Sequence, residues 1–507
     1  MAYEVGDRLQ IDNELGTILF KGKIKEWPSE EAYGIEWDNP NRGKHSGTVH
    51  GESYFKTLIP DSATFIKEPK LLVNARKNVT FYGALQGKYG DSSYISGLVM
   101  GTKEVEALGF EQLNYRNKDF SSLRHVSLSR SCICKTREKL SDIILIKNSC
   151  NNVETLDLSY NTFSSFKDVV LILECLSKLK TLNLNGNRFI SWEGLDGFKI
   201  TTLEHLSMSS CYLSPDNVQL LLQLFPNLKQ LDISYNLLES LPDKSFTIPK
   251  CLKGLNLSCN QLYNMPKCLG QWKLEELNLS HNLFSEVSSI NSETLRDLDI
   301  SDNKFVDWTI CDELNKNLAQ LNSLRINGNP LFTSSSKPET ELLYETLARF
   351  DHLHIVNGSS FSLQERKEAE LYFVSKILSD EIRFEKNLGR WEYFNAKYDI
   401  EMKLEHEKKS WLDNLLLEIE IHYHGNHFPI LVMTNYTIRH LKTIIIKRLA
   451  LHVNDVKLSF RISNDIVFEI DKNFSTIEDT GIQEKTKVFV THNGQEIENR
   501  QTFSKRK

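Results

Sequence analysis

The chain has 507 residues, too many for one hydrophobic core, and at roughly 100–200 residues per domain it predicts about three or four domains. Hydrophobic residues make up 40% and charged residues 25%, the balance of globular material, which excludes a wholly disordered chain. A formal net charge of -6 excludes a protein built to coat nucleic acid, whose surface would be basic.

The N-terminus, Met1-Ala2-Tyr3-Glu4-Val5-Gly6-Asp7, has no basic region followed by an apolar one, so no secretory signal is expected. No window reaches the run of about 18 apolar residues that a membrane span needs. The most apolar helix-like stretch, 438–451, is broken by Arg439, His440, Lys442, Lys447 and Arg448. A cytoplasmic protein without membrane insertion is the expectation. All nine cysteines lie between Cys132 and Cys311, and in a reducing compartment they read as small core residues. Cys132-x-Cys134 has no second Cys/His pair at zinc spacing, so neither metal nor cofactor is expected.

Residues 3–68 interleave glycines with strand-forming residues. Gly16-Thr17-Ile18, Gly22 and Tyr33-Gly34-Ile35-Glu36-Trp37-Asp38 come first. Arg42-Gly43-Lys44-His45-Ser46-Gly47-Thr48, Gly51, Tyr54-Phe55 and Phe65-Ile66-Lys67 follow. Glycines at this density mark tight turns and close approach of a partner backbone. The segment resembles a CAP-Gly domain, a small all-β barrel. The family hallmark Gly-Lys-Asn-Asp-Gly stands here as Gly43-Lys44-His45-Ser46-Gly47, and the aromatic slot before the conserved acidic run falls near Ala32. The family binds acidic C-terminal tails that end in an aromatic residue. The resemblance therefore implies a groove formed by Tyr33, Trp37, Arg42, Gly43, Lys44, His45, Gly47, Phe55 and Phe65. The chemistry suits such a ligand: ammonium and backbone N–H groups hold carboxylates, with Arg42, Lys44 and Lys56 adding positive charge. Rings can wall a slot for the terminal aromatic residue.

The middle of the chain repeats L-x-x-L-x-L-x-x-N-x-L. Copies start at 123, 153, 179, 203, 228, 252, 274, 295 and 321. The period matches leucine-rich repeats, which build an α/β solenoid. Each Leu-x-Leu predicts a short strand with inward leucines, and each Asn a turn out of it. Cys211 and Ser131 replace Asn in two copies. Residues between the leucines form a polar concave face on which acid gathers late in the array. Asp232, Glu276, Asp297, Asp299 and Arg325 are its candidate binding residues. An amphipathic helix from Leu342 to Leu353 then reads as a capping element.

The stretch from Gln364 to Lys409 is charged and helix-favouring and reads as a solvated linker. Beyond it, 415–421 and 430–433 alternate as a hairpin, and Thr437 caps a helix over 438–451. Strands follow over 457–461, 466–469 and 486–490. This order is that of an α+β ubiquitin-like β-grasp. The chain ends Ser504-Lys505-Arg506-Lys507 without a diglycine, so docking is expected rather than conjugation. His422, His424 and His427 read as a solvated turn.

The expected multi-domain layout is CAP-Gly over 1–70, a connecting segment over 71–115, the solenoid over 116–362 and a linker over 363–412. The ubiquitin-like domain follows over 413–495 and a tail over 496–507. This order resembles the tubulin-folding cofactor E family across nearly the whole chain. The resemblance implies a cytoplasmic, cytoskeleton-associated chaperone that binds α-tubulin, assists assembly of the α/β-tubulin heterodimer, and dissociates it with a partner cofactor. Implied partners are tubulin-folding cofactors B, C and D, with a proteasome contact through the ubiquitin-like domain as a further one. The alternative is a microtubule-associated scaffold that holds tubulin tails and recruits other partners. No phosphate-loop, zinc-protease or nucleophile-elbow motif occurs, and no enzyme is expected.

Overall fold

The computed structural model describes residues 3–90, 99–100, 103–104, 120–241, 248–264, 272–287, 290–386, 389–398, 400, 415–451, 456–463 and 466–492. The chain divides into two compact units, Met1–Ala369 and Glu370–Lys507. Among the described residues no helix is long and apolar enough to cross a membrane.

The first unit opens with an antiparallel sheet in the order β1 (Arg8–Ile11), β2 (Glu14–Ile24), β3 (Trp27–Trp37), β6 (Ala63–Lys67). A small hairpin, β4 (Thr48–Val49) and β5 (Glu52–Ser53), lies between β3 and β6 in the chain. Strand alternation sends Tyr33, Ile35 and Trp37 to one face, where they pack with Leu9, Ile11, Ile18 and Leu71.

Among the described residues, nine three-residue strands run in parallel from His125–Ser127 to Ser323–Arg325. Their register sets each central leucine opposite the next, as in Leu231↔Leu255 and Leu255↔Leu277. Buried asparagines tie the repeats together. The Asn260 amide donates to Ile233 O at 3.2 Å and to Leu257 O at 2.9 Å. Its Oδ1 accepts from Asn236 N at 2.9 Å and Leu238 N at 3.0 Å. Asn161, Asn187, Asn236, Asn282, Asn303 and Asn329 are buried likewise. In the Asn slot of its repeat, Cys211 offers only a weak S–H bond to Leu184 O at 3.3 Å, while its N–H is still taken by Asn236.

Both ends of the array are closed. Val79–Thr80 pairs in parallel with Ile133–Lys135, and Phe81 and Leu85 enter the repeat core. Residues 79–85, read as a connecting segment, thus serve as an N-terminal cap. At the other end Leu347, Phe350, Leu353 and Val356 complete the core. There the buried Arg349 pairs with Asp312 at 2.7 Å and Glu345 at 2.9 Å.

The β-rich module is fastened to this array through one row of loop residues, each directly after the Asn slot. Cys132 Sγ donates to Gln10 Oε1 at 2.8 Å, and Thr162 Oγ1 to Asn78 Oδ1 at 3.1 Å. Arg188 Nη2 pairs with Glu36 Oε2 at 2.6 Å, and the Tyr212 hydroxyl donates to Asp38 O at 3.4 Å. The Glu36 side chain has no exposure, and its other oxygen accepts from Leu58 N and Ile59 N. Such a carboxylate is stable inside only because it is paired and hydrogen-bonded.

In the second unit, the segment read as a solvated linker has a core of its own. Phe373, Trp391 and Phe394 are buried, and Glu370 accepts from Arg390 at 3.0 Å, Lys397 at 2.7 Å and Tyr398 at 2.9 Å. Burial alone would raise Glu370, but the Lys397 bond, the Arg390 charge and the Tyr398 bond outweigh it and hold the carboxyl below its usual value. Residues 401–414 of that segment lie outside the described residues. After it, Leu416–Tyr423 pairs antiparallel with Asn426–Met433 and parallel with Lys487–His492. Helix Ile438–Leu449, capped by Thr437 accepting from His440 N, sends Ile438, Leu441 and Ile445 into a core with Ile419, Ile421 and Val488. Val456–Ser463 and Ile466–Glu469 complete a five-stranded sheet. First and last strands parallel at the centre, with the helix across one face, make this a ubiquitin-like β-grasp.

Replacing Arg188 by Met strands the Glu36 carboxylate in the junction. The change should cost about 3–5 kcal/mol. Calorimetry of the full chain should show a lowered transition, and amide exchange should rise in β3. An unchanged transition would mean the junction is not held by this pair.

Candidate functional site

Five half-buried rings gather on one side of the N-terminal module. β2 supplies Phe20, the loop after the turn Pro40–Arg42 supplies His45, the segment after β5 supplies Tyr54 and Phe55, and β6 supplies Phe65. Phe65 is the hub, with ring centroids 5.8 Å from Phe20, 5.2 Å from His45, 5.5 Å from Tyr54 and 5.6 Å from Phe55. The contacts are mostly edge-to-face, the arrangement ring quadrupoles favour. Half-exposed rings in such a cluster leave apolar edges and faces for a ligand.

The Gly43–Gly47 loop is pressed against this cluster. Lys44 N donates to Ala63 O at 2.8 Å, and Ala63 N to His45 O at 2.9 Å. Gly43 lies so close to the chain that a Cβ there would sit 2.0 Å from Asp61 O. Gly47 has φ +91°, and a Cβ there would sit 2.2 Å from Phe55 O. Both glycines are therefore required by contact, and Gly47 also by its dihedral. Ser46 Oγ donates to Asp61 Oδ1 and accepts from Asp61 N.

His45 Nδ1 accepts from Gly47 N at 3.1 Å, which leaves the neutral ring's proton on Nε2. Burial pushes the imidazole below its usual pKa against the opposing pull of Asp61, so it is neutral at pH 7. Lys44 and Lys56 are exposed, and among the described residues neither ammonium makes an ion pair. The site thus offers two free cations, an N–H donor and an apolar slot, which together suit a carboxylate-bearing ligand with an aromatic end.

The structure brings Gly43, Lys44, His45, Gly47, Phe55 and Phe65 together, but it places three other expected groove residues elsewhere. Tyr33 and Trp37 are each 1% exposed, on the inward face with Ile35, and cannot touch a ligand. Trp37 Nε1 donates to Thr64 Oγ1 at 2.8 Å. Arg42 stacks 3.9 Å over the Trp37 ring and donates to Ile11 O and Asp12, so its charge is already engaged. Phe20 was not among the expected residues. Its signal is register: Phe20 faces Gly34, which faces Phe65.

On the solenoid, Glu276, Asp297, Asp299 and Arg325 share one open concavity of about 580 Å³. Asp232 does not line it and is turned to Ser234 N at 3.0 Å. The Asp/Asn column has a local cause. Asp157, Asn183, Asp232, Asn256, Asn278 and Asp299 each accept the N–H two residues on, at 2.9–3.0 Å, closing the turn out of the strand. His422 and His427 stack with centroids 5.5 Å apart beside Glu420. Among the described residues, no group of three or more His, Cys, Asp or Glu side chains is placed to hold a metal ion.

Gly47→Ala should lower the stability of the N-terminal module by about 1–3 kcal/mol. It should also displace Phe55, seen as shifted aromatic signals in NMR spectra. A variant with wild-type stability and spectra would refute the close packing of the loop.

A family model of the CAP-Gly domain matches residues 5–71, and one of the leucine-rich repeat matches residues 226–284. Protein PAC2 of Saccharomyces cerevisiae is 37% identical over 494 residues, covering 95% of this chain and 95% of that protein. Tubulin-specific chaperone E of Homo sapiens is 27% identical over 498 residues, covering 90% of this chain and 92% of that protein. The solution structure of the C-terminal ubiquitin-like domain of mouse tubulin-specific chaperone e covers 16% of this chain and 90% of its own, at 15% identity and a TM-score of 0.15. With a CAP-Gly module, a leucine-rich solenoid and a β-grasp in one chain that matches Protein PAC2 and human tubulin-specific chaperone E nearly end to end, the protein belongs to the tubulin-specific chaperone E family.

Proposed function

We propose that this chain is a cytoplasmic tubulin-folding chaperone that works by binding and not by covalent chemistry. It takes α-tubulin, assists its assembly into the α/β heterodimer, and separates the heterodimer together with a partner cofactor. The observation that carries the reading is the ring cluster beside the free Lys44 and Lys56 ammoniums, on a chain whose relatives are named for tubulin.

The division of labour follows from the chemistry of each module. Lys44 and the His45 Nε2–H meet the carboxylates of the acidic α-tubulin tail, and Phe20, Phe55 and Phe65 receive its terminal ring. The solenoid presents a rigid surface to the body of the same subunit. The β-grasp docks another member of the assembly, drawn from cofactors B, C and D. Each contact alone is weak. Two contacts on one chain convert the second into an intramolecular event and raise the net affinity.

Lys44→Ala should weaken binding of an acidic, aromatic-ended tail peptide about tenfold, the loss of one charge-assisted contact. Titration calorimetry with the full chain measures it. Equal affinity for the peptide before and after the substitution would remove the groove from the tail-binding role.

A further inference from the structure

The loop row that fastens the CAP-Gly module does not end where that module ends. Cys132, Thr162, Arg188 and Tyr212 follow the Asn slots of the first four repeats, and each contacts the module or the segment leaving it. The same position in later repeats is held by Leu237, Gln261, Leu283, Lys304 and Pro330. Neighbouring loops are hydrogen-bonded in step, Gln261 N to Leu238 O and Leu283 N to Leu262 O, both at 2.8 Å, so the row is one continuous edge.

From the fifth to the seventh repeat this edge exposes large apolar side chains. Leu237 is 41% exposed and Leu283 46%, flanked by Tyr235 at 58% and Tyr263 at 54%. Nothing in the repeat's architecture demands large apolar residues there. The inward leucines already make the core, and the turn-closing hydrogen bonds come from the Asp/Asn column. Large apolar side chains exposed together on one edge mark a contact surface.

We propose that this stripe docks the folded body of the protein whose acidic tail lies in the CAP-Gly groove. The inference rests on the tail-binding reading above. Two observations select this occupant over others. First, the stripe continues the junction that seats the CAP-Gly module, so a body tethered by its tail lies next to this edge. Second, the concave face gathers Glu276, Asp297 and Asp299 around its concavity. Like charge there disfavours a partner that the groove's lysines attract, whereas Leu237, Leu283, Tyr235 and Tyr263 carry no charge. The concave face therefore stays open for a different partner, and the edge takes the body.

The test measures the affinity of the full-length chain for native α/β-tubulin heterodimer and, separately, for an isolated tail peptide. Leu237→Ser with Leu283→Ser should weaken heterodimer binding at least tenfold and leave peptide binding unchanged. Tyr263→Ser alone, at an exposed ring, should act the same way to a smaller degree, and provides a second reading if the double variant is unstable. Heterodimer affinity within twofold of wild type in both variants would overturn the stripe alone. So would a loss confined to Glu276→Ser with Asp297→Ser. Wild-type chain that binds neither heterodimer nor peptide would overturn the tail-binding reading and the stripe with it.

Discussion

One buried side-chain amide holds nearly every pair of neighbouring repeats, the slot held by Cys211 excepted. An asparagine such as Asn260 donates across to the previous repeat, donates within its own turn, and accepts two N–H groups of the repeat before it. Those backbone groups are buried, and each would cost on the order of 1–3 kcal/mol if left unpaired. The ladder therefore fixes the spacing of the loops as firmly as it fixes the core. Regular loops are what let four successive side chains meet the CAP-Gly module in one row. The orientation of the groove on the solenoid thus follows from the asparagines.

The junction adds a second constraint of the same kind. Glu36 is a charged residue in the outward alternation of β3, and it is tolerable inside because Arg188 reaches it from the third repeat and Leu58 N and Ile59 N donate to its other oxygen. Within the first unit the CAP-Gly module is thus part of the solenoid's structure. On the proposed reading, a ligand held at Phe55 and Phe65 has a defined neighbour in the repeats, which favours two-point binding.

Much of this was legible in the sequence. The leucine and asparagine spacing carries the solenoid by itself, since nine copies share the strand alternation and seven of them the buried amide. The Gly43–Gly47 loop was legible because its glycines stand where an added Cβ would come within 2.5 Å of neighbouring backbone. Three kinds of feature were not. Tyr33 and Trp37 carry the right chemistry for a groove, and only the shared face with Ile35 reveals that they are core. Phe20 joins the ring cluster through cross-strand register, which spans distant positions. Glu370 sits in a charged stretch that reads as solvated, and its burial depends on Arg390, Lys397 and Tyr398 arriving from another helix.

The central claim is that this architecture serves to handle tubulin subunits, with the groove holding the tail while the repeats hold the body. The most direct measurement mixes the purified chain with native tubulin heterodimer, with and without cofactor B, and follows each subunit on a native gel. The account predicts loss of heterodimer, with α-tubulin moving into a complex with the chain. Heterodimer that stays intact under both conditions, while the chain pellets with microtubules, would contradict it and leave a scaffold.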